Sequence, residues 1–394
     1  MVRVASFTST CDLLRSRRIL PLMRIAKLLL LATLLTGAPA DASEWNVIPQ
    51  QGRDYVSFAN VAEFYHLARY SQANRTVSLR DTRRTVRAQA DTSELYINGV
   101  RFFTNFPLVA RDGETLISAT DVGKILEPVL RPSRIDGARG VETVVLDPGH
   151  GGTDQGTANA WGTEKGFALA VAVAAREHLL RAGFKVEMTR SSDVGLSLEE
   201  RVEFANRFPD AVFISIHFNS ASGGNGVESY ALAPAGVASN ATPGENHVTA
   251  RDVLRNPGNN RDGENIALTA AVHAAVLSRV APFDRGIRHA RFEVLRNITS
   301  PALLLEGGFL SDPVEGQRIA TSQYRQQLGA AIAQGVQAYN TAVTYRTVNP
   351  SASFATVVAN LPPHARSITE ALSTHRSNAL APAQPPSVSI NAGE

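Results

Sequence analysis

Residues 143–152 read Thr-Val-Val-Leu-Asp-Pro-Gly-His-Gly-Gly, an apolar run that ends in a glycine-rich turn around His150. Two later segments have the same form. Residues 213–219, Phe-Ile-Ser-Ile-His-Phe-Asn, carry His217, and residues 303–309, Leu-Leu-Leu-Glu-Gly-Gly-Phe, carry Glu306. Each apolar run is typical of a buried strand. Since helical segments lie between these runs, the pattern predicts an α/β fold.

Strands and helices alternate from Val141 onward, which predicts a large domain at residues 141–345. The predicted strands are Val141–Leu146, Lys185–Thr189, Ala211–His217, Gly226–Leu232 and Pro301–Glu306. The predicted helices are Glu164–Arg181, Leu198–Phe208 with a Ser197/Glu200 capping box, Asn265–Val280 and Gln323–Tyr339. The polar stretch 234–261 is long for a loop, which is typical of functional or disordered segments. Residues 346–394 are rich in Ser, Ala and Pro and are expected to form a mobile tail.

The preceding region, residues 43–135, is predicted to be a small β-rich domain with one helix at Val56–Tyr70. Short strands are expected at Arg75–Leu79, Glu94–Ile97 and Thr115–Ser118, with turns at Asn98-Gly99 and Asp112-Gly113. The polar segment 132–140 is predicted to be a hinge between the two domains.

Residues 24–42 have the parts of a secretion signal in order: the basic residues Arg24 and Lys27, the apolar run Leu28–Leu35, and Ala40-Asp41-Ala42. A permanent transmembrane helix needs about 20 apolar residues, so no permanent membrane span is expected. We predict that residues 1–42 are removed as a signal peptide and that the chain is periplasmic or secreted. An uncleaved membrane anchor is the alternative, and translation could begin at Met23.

Cysteine usage and charge exclude several kinds of site. The sole cysteine, Cys11, lies in the segment expected to be removed, so the mature chain would have no thiolate ligand and no disulfide. The formal net charge is +3 without a lysine-rich block, which argues against a nucleic-acid partner. Any metal site must therefore use histidine and carboxylate side chains.

Four side chains are candidates for such a site. His150, His217 and Glu306 follow apolar runs, and ligands of open α/β sheets bind beyond the carboxyl ends of strands. Glu164 begins the helix that follows the first strand. Two imidazoles and one carboxylate with an open fourth position make a catalytic zinc site.

Each candidate also has a purely structural interpretation. A histidine after a buried strand is commonly a hydrogen-bonded structural residue, and a glutamate such as Glu164 favours a helix N-terminus through the helix dipole. Glu306 is harder to explain in this way, because a carboxylate is seldom buried without a partner. A surface role is sufficient for His66, His178, His247, His273 and His289.

These segments resemble the zinc-dependent N-acetylmuramoyl-L-alanine amidases of bacterial cell walls. The resemblance extends from Thr143 to Tyr339, about half of the chain, and its many ordered motifs make it specific. The motifs are LDPGHGG, GTEKGFALAVA, SLEERVEFAN, SIHFN, GVESY, RGIRHARFEVLRN and PALLLEGGFLSDP.

The resemblance implies a fold, a site and a reaction. It implies an α/β domain with a central mixed sheet flanked by helices, one Zn²⁺ held by His150, Glu164 and His217, and Glu306 as general base. The bond cut would be the amide between N-acetylmuramic acid and L-alanine in peptidoglycan. Peptidoglycan is thus the expected partner, with an activator protein as a further candidate. The segment 234–261 is longer than the family pattern needs, which leaves regulation or substrate access there open.

Four further residues are candidates for contact with the substrate. Arg190, Arg288 and Arg291 are candidates for pairing with peptide carboxylates, and Asn219 is a candidate beside His217. Surface arginines are, however, more often solvated charges.

Two other functions stay open: a zinc peptidase that cuts within the stem peptide, and a non-catalytic wall-binding protein.

Residues 43–135 more faintly resemble the β-rich module named after the N-terminal region of copper amine oxidases. The phrase YINGVRFFTNFPLVARDGETLISATDVGKIL carries this resemblance. It implies no copper chemistry, because His66 is the only imidazole in this segment. Wall or partner binding and a structural spacer are equally compatible with the pattern.

Overall fold

The computed structural model describes residues 45–241 and 248–345. The predicted signal peptide, the predicted tail at 346–394 and His247 lie outside the described residues. Within the described ranges, no helix is both long and apolar enough to cross a membrane.

Residues 45–135 form two sets of antiparallel strands. Strands β1 (Ile48–Gln50), β2 (Arg53–Ser57), β8 (Val109–Arg111) and β9 (Glu114–Ser118) make a four-stranded sheet in the order β1-β2-β9-β8. Strands β3 (Arg69–Ala73), β4 (Thr76–Arg80), β5 (Thr85–Gln89), β6 (Glu94–Ile97) and β7 (Val100–Phe103) follow one another as a meander. The three strands predicted here are present within one residue at each end, and the region is β-rich as expected.

The helix predicted at Val56–Tyr70 is shorter than expected. Helix α1 spans Phe58–Phe64, while Val56 belongs to β2 and Tyr70 to β3. The side chain of Ser57 caps the helix by accepting from the backbone N–H of Asn60. The chain leaves the helix at His66, whose φ is +54°. Short helical turns follow β9: α2 (Ala119–Asp121), a π turn (Val122–Leu126), α3 (Glu127–Leu130) and a 3₁₀ turn (Pro132–Arg134).

The second half of the chain has the predicted mixed sheet. Its strands are β10 (Thr143–Pro148), β13 (Lys185–Met188), β14 (Ala211–Asn219), β15 (Val227–Leu232), β16 (Asp284–Ala290) and β17 (Ala302–Phe309), with β11 (Ala158–Asn159) and β12 (Gly162–Thr163) as a separate small hairpin. The order is β13-β10-β14-β17-β15-β16, and only the β17–β15 pair is antiparallel. Parallel β10, β14 and β17 bring their carboxyl ends, and the sequence-predicted residues, to one edge.

Helices cover both faces of this sheet. The helices are α4 (Glu164–Arg181), α5 (Leu198–Ala205), α6 (Ala250–Val253), a 3₁₀ turn (Pro257–Arg261), α7 (Asp262–Val280), α8 (Glu293–Arg296), α9 (Pro313–Ile319) and α10 (Ser322–Thr344). Val144 and Leu146 face the larger core with α4, α7 and α10, whereas Val145 faces a second core with Val202 of α5 and Leu295 of α8. This alternation explains why the strands are apolar on both sides.

The sheet does not end at β16. Strand β7 pairs in parallel with β16, with Phe102 opposite Ile287, so the meander and the mixed sheet form one sheet of eleven strands. In the segment 132–140, predicted to be a hinge, Pro132 and Ala138 are buried and the other residues are half-buried or exposed. The domain boundary predicted at 135–141 therefore falls between strands that share one sheet.

Candidate metal centre and active site

His150 lies just beyond the end of β10, in a left-handed backbone conformation with φ of +59°. Two buried arginines hold this loop by its carbonyl oxygens. Arg201 donates to the carbonyl oxygens of Pro148 (2.9 Å) and His150 (2.7 Å), and Arg190 donates to those of Pro148 (2.9 Å) and Gly149 (2.7 Å). The charge of Arg201 is balanced by Asp147, 2.7 Å away. The turn that presents His150 is thus fixed by internal ion pairing and hydrogen bonding.

Glu164 is the first residue of α4 and is only 4% exposed. Its Oε1 accepts from the backbone N–H of Phe218 (3.1 Å), and its Oε2 accepts from that of Thr157 (2.9 Å). Burial alone would raise the pKa of Glu164, but hydrogen bonds from His150 and His217 outweigh burial and lower it below its usual range. Glu164 is therefore held as a carboxylate at neutral pH.

His217 is the third member of the group and lies on β14, two residues before the end of the strand. Glycine at 149 is needed beside it, because a Cβ there would collide with the imidazole ring of His217. Glycine is likewise needed at 156, where a Cβ would lie 2.7 Å from the ring of His150. Both positions leave space for the backbone to pass close to the imidazoles.

These three side chains converge on one point. Oε1 of Glu164 lies 2.9 Å from Nε2 of His150 and 3.0 Å from Nδ1 of His217, and the ligand atoms of all three residues lie within 4.8 Å of one another. Nδ1 of His150 meets Asp154 at 2.7 Å, as expected when a carboxylate orients a ligating imidazole. The group can hold a metal ion, and two nitrogens with one oxygen suit a divalent transition metal.

Glu306 lies on β17, directly opposite His217 on β14 and Glu228 on β15. Its Oε2 is buried and has no hydrogen-bond partner among the described residues. Burial raises the pKa of Glu306 well above its usual range, and the charges of Glu164 and Glu228 raise it further. The strand continues past Glu306 to Phe309, whereas the sequence predicted an end at Glu306. The Gly307-Gly308 pair, typical of a turn, here lies within a strand.

Glu228 was missed by the sequence reasoning. It is 4% exposed, and it accepts hydrogen bonds from Arg285, Tyr230 (2.6 Å) and Asn219 (3.2 Å). Like charges directly opposite each other destabilise a sheet, so the Glu228–Glu306 pair needs compensating cations nearby. The GVESY motif contained Glu228, but nothing in the local pattern showed that the residue opposite it would be Glu306.

The four residues predicted for substrate binding are all engaged within the protein. Arg190 is 3% exposed and holds backbone carbonyl oxygens, and Arg291 pairs with Asp252 at 2.8 Å. Arg288 donates to the carbonyl oxygen of Asn240 (3.0 Å), and Asn219 donates to Glu228 (3.2 Å). Arg190 is thus not the surface cation that the sequence suggested. Contact of these side chains with substrate stays a prediction.

Two histidines set aside as surface residues are buried instead. His273 is 0% exposed, with Nδ1 at 2.8 Å from Ser229 Oγ and Nε2 at 3.0 Å from Asp284. This serine, histidine and aspartate relay resembles a hydrolase triad, but Ser229 is also 0% exposed and cannot meet a substrate. His289 is 2% exposed, and burial, followed by the charge of Arg291, lowers its pKa to about 4.

Comparison with known proteins relates the second half of the chain to a described family. Residues 144–338 match the family described as N-acetylmuramoyl-L-alanine amidase. The sporulation-specific N-acetylmuramoyl-L-alanine amidase of Bacillus subtilis (strain 168) is 32% identical over 200 residues, which cover 50% of this chain and 68% of that protein. The chain belongs to the N-acetylmuramoyl-L-alanine amidase family. The N-acetylmuramoyl-L-alanine amidase AmiA of Escherichia coli (strain K12) is 30% identical over 221 residues, or 51% of this chain and 76% of that protein.

Family membership gives the reaction. The chain is an amidase that hydrolyses the bond between N-acetylmuramic acid and L-alanine of peptidoglycan. The family match begins at residue 144, so strands β1 to β9 lie outside it.

Proposed function

We propose that the amidase is a zinc hydrolase in which His150, Glu164 and His217 hold one Zn²⁺ and Glu306 is the general base and acid. The donor set supports zinc, because two imidazoles and a carboxylate leave a fourth position for water or substrate. A zinc ion bound there would lower the pKa of its water to about 7 and polarise the scissile carbonyl.

The observation that carries the proposal is that Oε2 of Glu306 has no hydrogen-bond partner in the described part of the chain. A buried carboxyl oxygen without a donor is costly, and a catalytic role beside a metal ion would explain it. Its position opposite His217 puts it beside the candidate metal ligands. Glu306 would remove the proton from the attacking water and later deliver this proton to the leaving nitrogen of L-alanine.

The surrounding residues would orient this machinery. Asp154 would fix the tautomer of His150 so that Nε2 is the ligating nitrogen. Arg190 and Arg201 would fix the turn that carries His150. Asn219 adjoins the site through Glu228 and is the best placed of the four predicted substrate contacts.

We also propose that the chain is exported after cleavage of residues 1–42, since peptidoglycan lies outside the cytoplasm. N-terminal sequencing of the mature protein should begin near Ser43, whereas an intact Arg24–Leu35 segment would indicate a membrane anchor.

An activator protein that acts on the segment 234–261 is a further proposal. It is supported by two exposed apolar side chains in this segment, Val253 and Leu254, which are 63% and 64% exposed.

Product analysis identifies the bond that is cut. Peptidoglycan digested by the purified protein should yield free stem peptides with an N-terminal L-alanine and glycan strands with free lactyl carboxylates, as identified by mass spectrometry. New termini within the stem peptide would favour the zinc peptidase instead. A digest without new termini, from zinc-loaded protein, would favour a wall-binding protein.

A further inference from the structure

Strand β7 of the N-terminal region pairs with β16, and we call this pairing the β7–β16 joint. A row of neighbouring positions across the sheet runs from Glu306 to this joint. Glu306 on β17 lies opposite Glu228 on β15, and Glu228 lies opposite Gly286 on β16. Gly286 has no side chain, and its place is covered by the ring of Phe103 from β7, which would lie 2.9 Å from a Cβ at this position. The row therefore ends on a residue outside the family match.

Phe103 contacts Arg288, one of the two arginines that face Glu228. The guanidinium of Arg288 lies 3.8 Å from the centre of the Phe103 ring, a cation–π contact, and its Nε lies 4.0 Å from Glu228 Oε1. Arg285 donates directly to the same oxygen. The side chain of Arg288 is only 11% exposed. Phe103 thus covers an arginine that faces the carboxylate next to Glu306.

The joint is also bonded through its backbone. Asp284 accepts from the backbone N–H of Arg101 on β7 (3.1 Å) and from that of Gly286 (2.7 Å). The same carboxylate meets His273 on α7 at 3.0 Å. Strands β7 and β16 and helix α7 are therefore joined at one point, which limits the movement of Phe103 relative to Arg288.

We propose that Phe103 is a positioning residue for the amidase reaction: it holds Arg288 against Glu228, and this balanced carboxylate keeps Glu306 at the reacting water. The inference rests on the proposed role of Glu306 as the base. The N-terminal region is then a structural part of the active site in addition to any binding role. Catalytic geometry must be held within about 0.5 Å, so looser packing at Phe103 should slow the chemical step.

The test compares Phe103→Leu and Phe103→Tyr with a matched control in the full-length zinc-loaded protein. Leucine keeps the apolar bulk and removes the ring face, whereas tyrosine keeps the face. Phe106→Leu is the control, because Phe106 also lies under an arginine, Arg53 at 4.0 Å, but away from the β7–β16 joint. We expect Phe103→Leu to lower kcat by about 10- to 100-fold with KM and zinc content unchanged, while the other two variants stay close to the parent.

Two outcomes would overturn the inference: parental kcat in Phe103→Leu, or an equal loss in Phe103→Leu and Phe106→Leu. If Phe103→Leu does not fold, Arg288→Met removes the cation that Phe103 covers and should show the same loss of kcat at unchanged KM. A Glu306→Gln arm separates this inference from the proposed function. If Glu306→Gln keeps parental kcat, the proposed base is wrong; if it is inactive and the Phe103 and Arg288 variants are fully active, only the positioning role is wrong.

Discussion

Nδ1 of His150 lies 2.7 Å from Oδ2 of Asp154, while Nε2 of the same ring lies 2.9 Å from Oε1 of Glu164. The imidazole is therefore held on both sides, with one nitrogen directed toward the candidate metal ligands. An acceptor at Nδ1 keeps the proton there and leaves the lone pair on Nε2.

Removing this acceptor should weaken metal binding. Asp154→Ala is expected to lower zinc affinity by about 10- to 100-fold, the usual effect of losing a carboxylate behind a ligating imidazole. Competition with a chromophoric chelator measures the affinity. The control is Asp136→Ala, an exposed aspartate in the linker before β10, which should bind zinc like the parent. Equal affinities in both variants would show that Asp154 does not support the site.

The buried ion pair behind the His150 turn should matter for stability. The side chains of Arg201 and Asp147 are 4% and 1% exposed and lie 2.7 Å apart. Arg201→Met removes the cation paired with Asp147 and leaves this buried carboxylate with hydrogen bonds from Thr189 (2.6 Å) and Ser215 (2.8 Å). Because an ion pair in the interior is broken, the free energy of unfolding should fall by about 3 kcal/mol in urea denaturation. Arg207→Met, at an exposed position of the same segment, is the control and should cost much less. A parental midpoint in Arg201→Met would contradict the assigned role.

His289 should make the fold sensitive to acid. Its pKa in the folded state is about 4, below the usual 6.5, so between these values the unfolded chain binds more protons. The contribution of His289 to the free energy of unfolding is fully present above pH 6.5 and is lost as the pH falls to 4. It amounts to at most about 3 kcal/mol, because one pKa unit corresponds to about 1.36 kcal/mol.

The check is urea denaturation of the parent, His289→Gln and His66→Asn at pH 7 and pH 4.5. Other titratable groups contribute to the acid sensitivity of every variant, so the readout is the difference between variants. His289→Gln should lose less stability on acidification than the parent. His66 is exposed with a φ of +54° that asparagine also adopts, so His66→Asn should follow the parent. Equal losses in all three proteins would remove His289 as a cause.

Local sequence patterns predicted much of this structure. Helix α4 has the predicted bounds, because Glu164 follows a glycine-rich turn and Gly183 follows the last turn. The Ser197/Glu200 capping box is present for the same local reason. The candidate ligands could be found because parallel buried strands place their carboxyl ends on one edge, whatever the loops between them.

Long-range pairing could not be predicted in this way. The β7–β16 joint links residues nearly two hundred positions apart. The alternation of side chains in either strand does not show which other strand it will pair with. Glu228 was missed because its burial depends on Arg285, 57 residues away. Arg190 was taken for a surface cation because arginine usually is one, but here backbone carbonyl oxygens of Pro148 and Gly149 satisfy its donors in the interior.

Glu306→Gln shows whether Glu306 is the base beside a metal held by His150, Glu164 and His217. Glu306→Gln keeps the shape of the side chain but cannot accept the proton of the attacking water. It should fold and bind zinc like the parent and release stem peptides about 10²- to 10⁴-fold more slowly, the usual contribution of general base catalysis. Release of stem peptides at the parental rate by zinc-loaded Glu306→Gln would show that Glu306 is not the base.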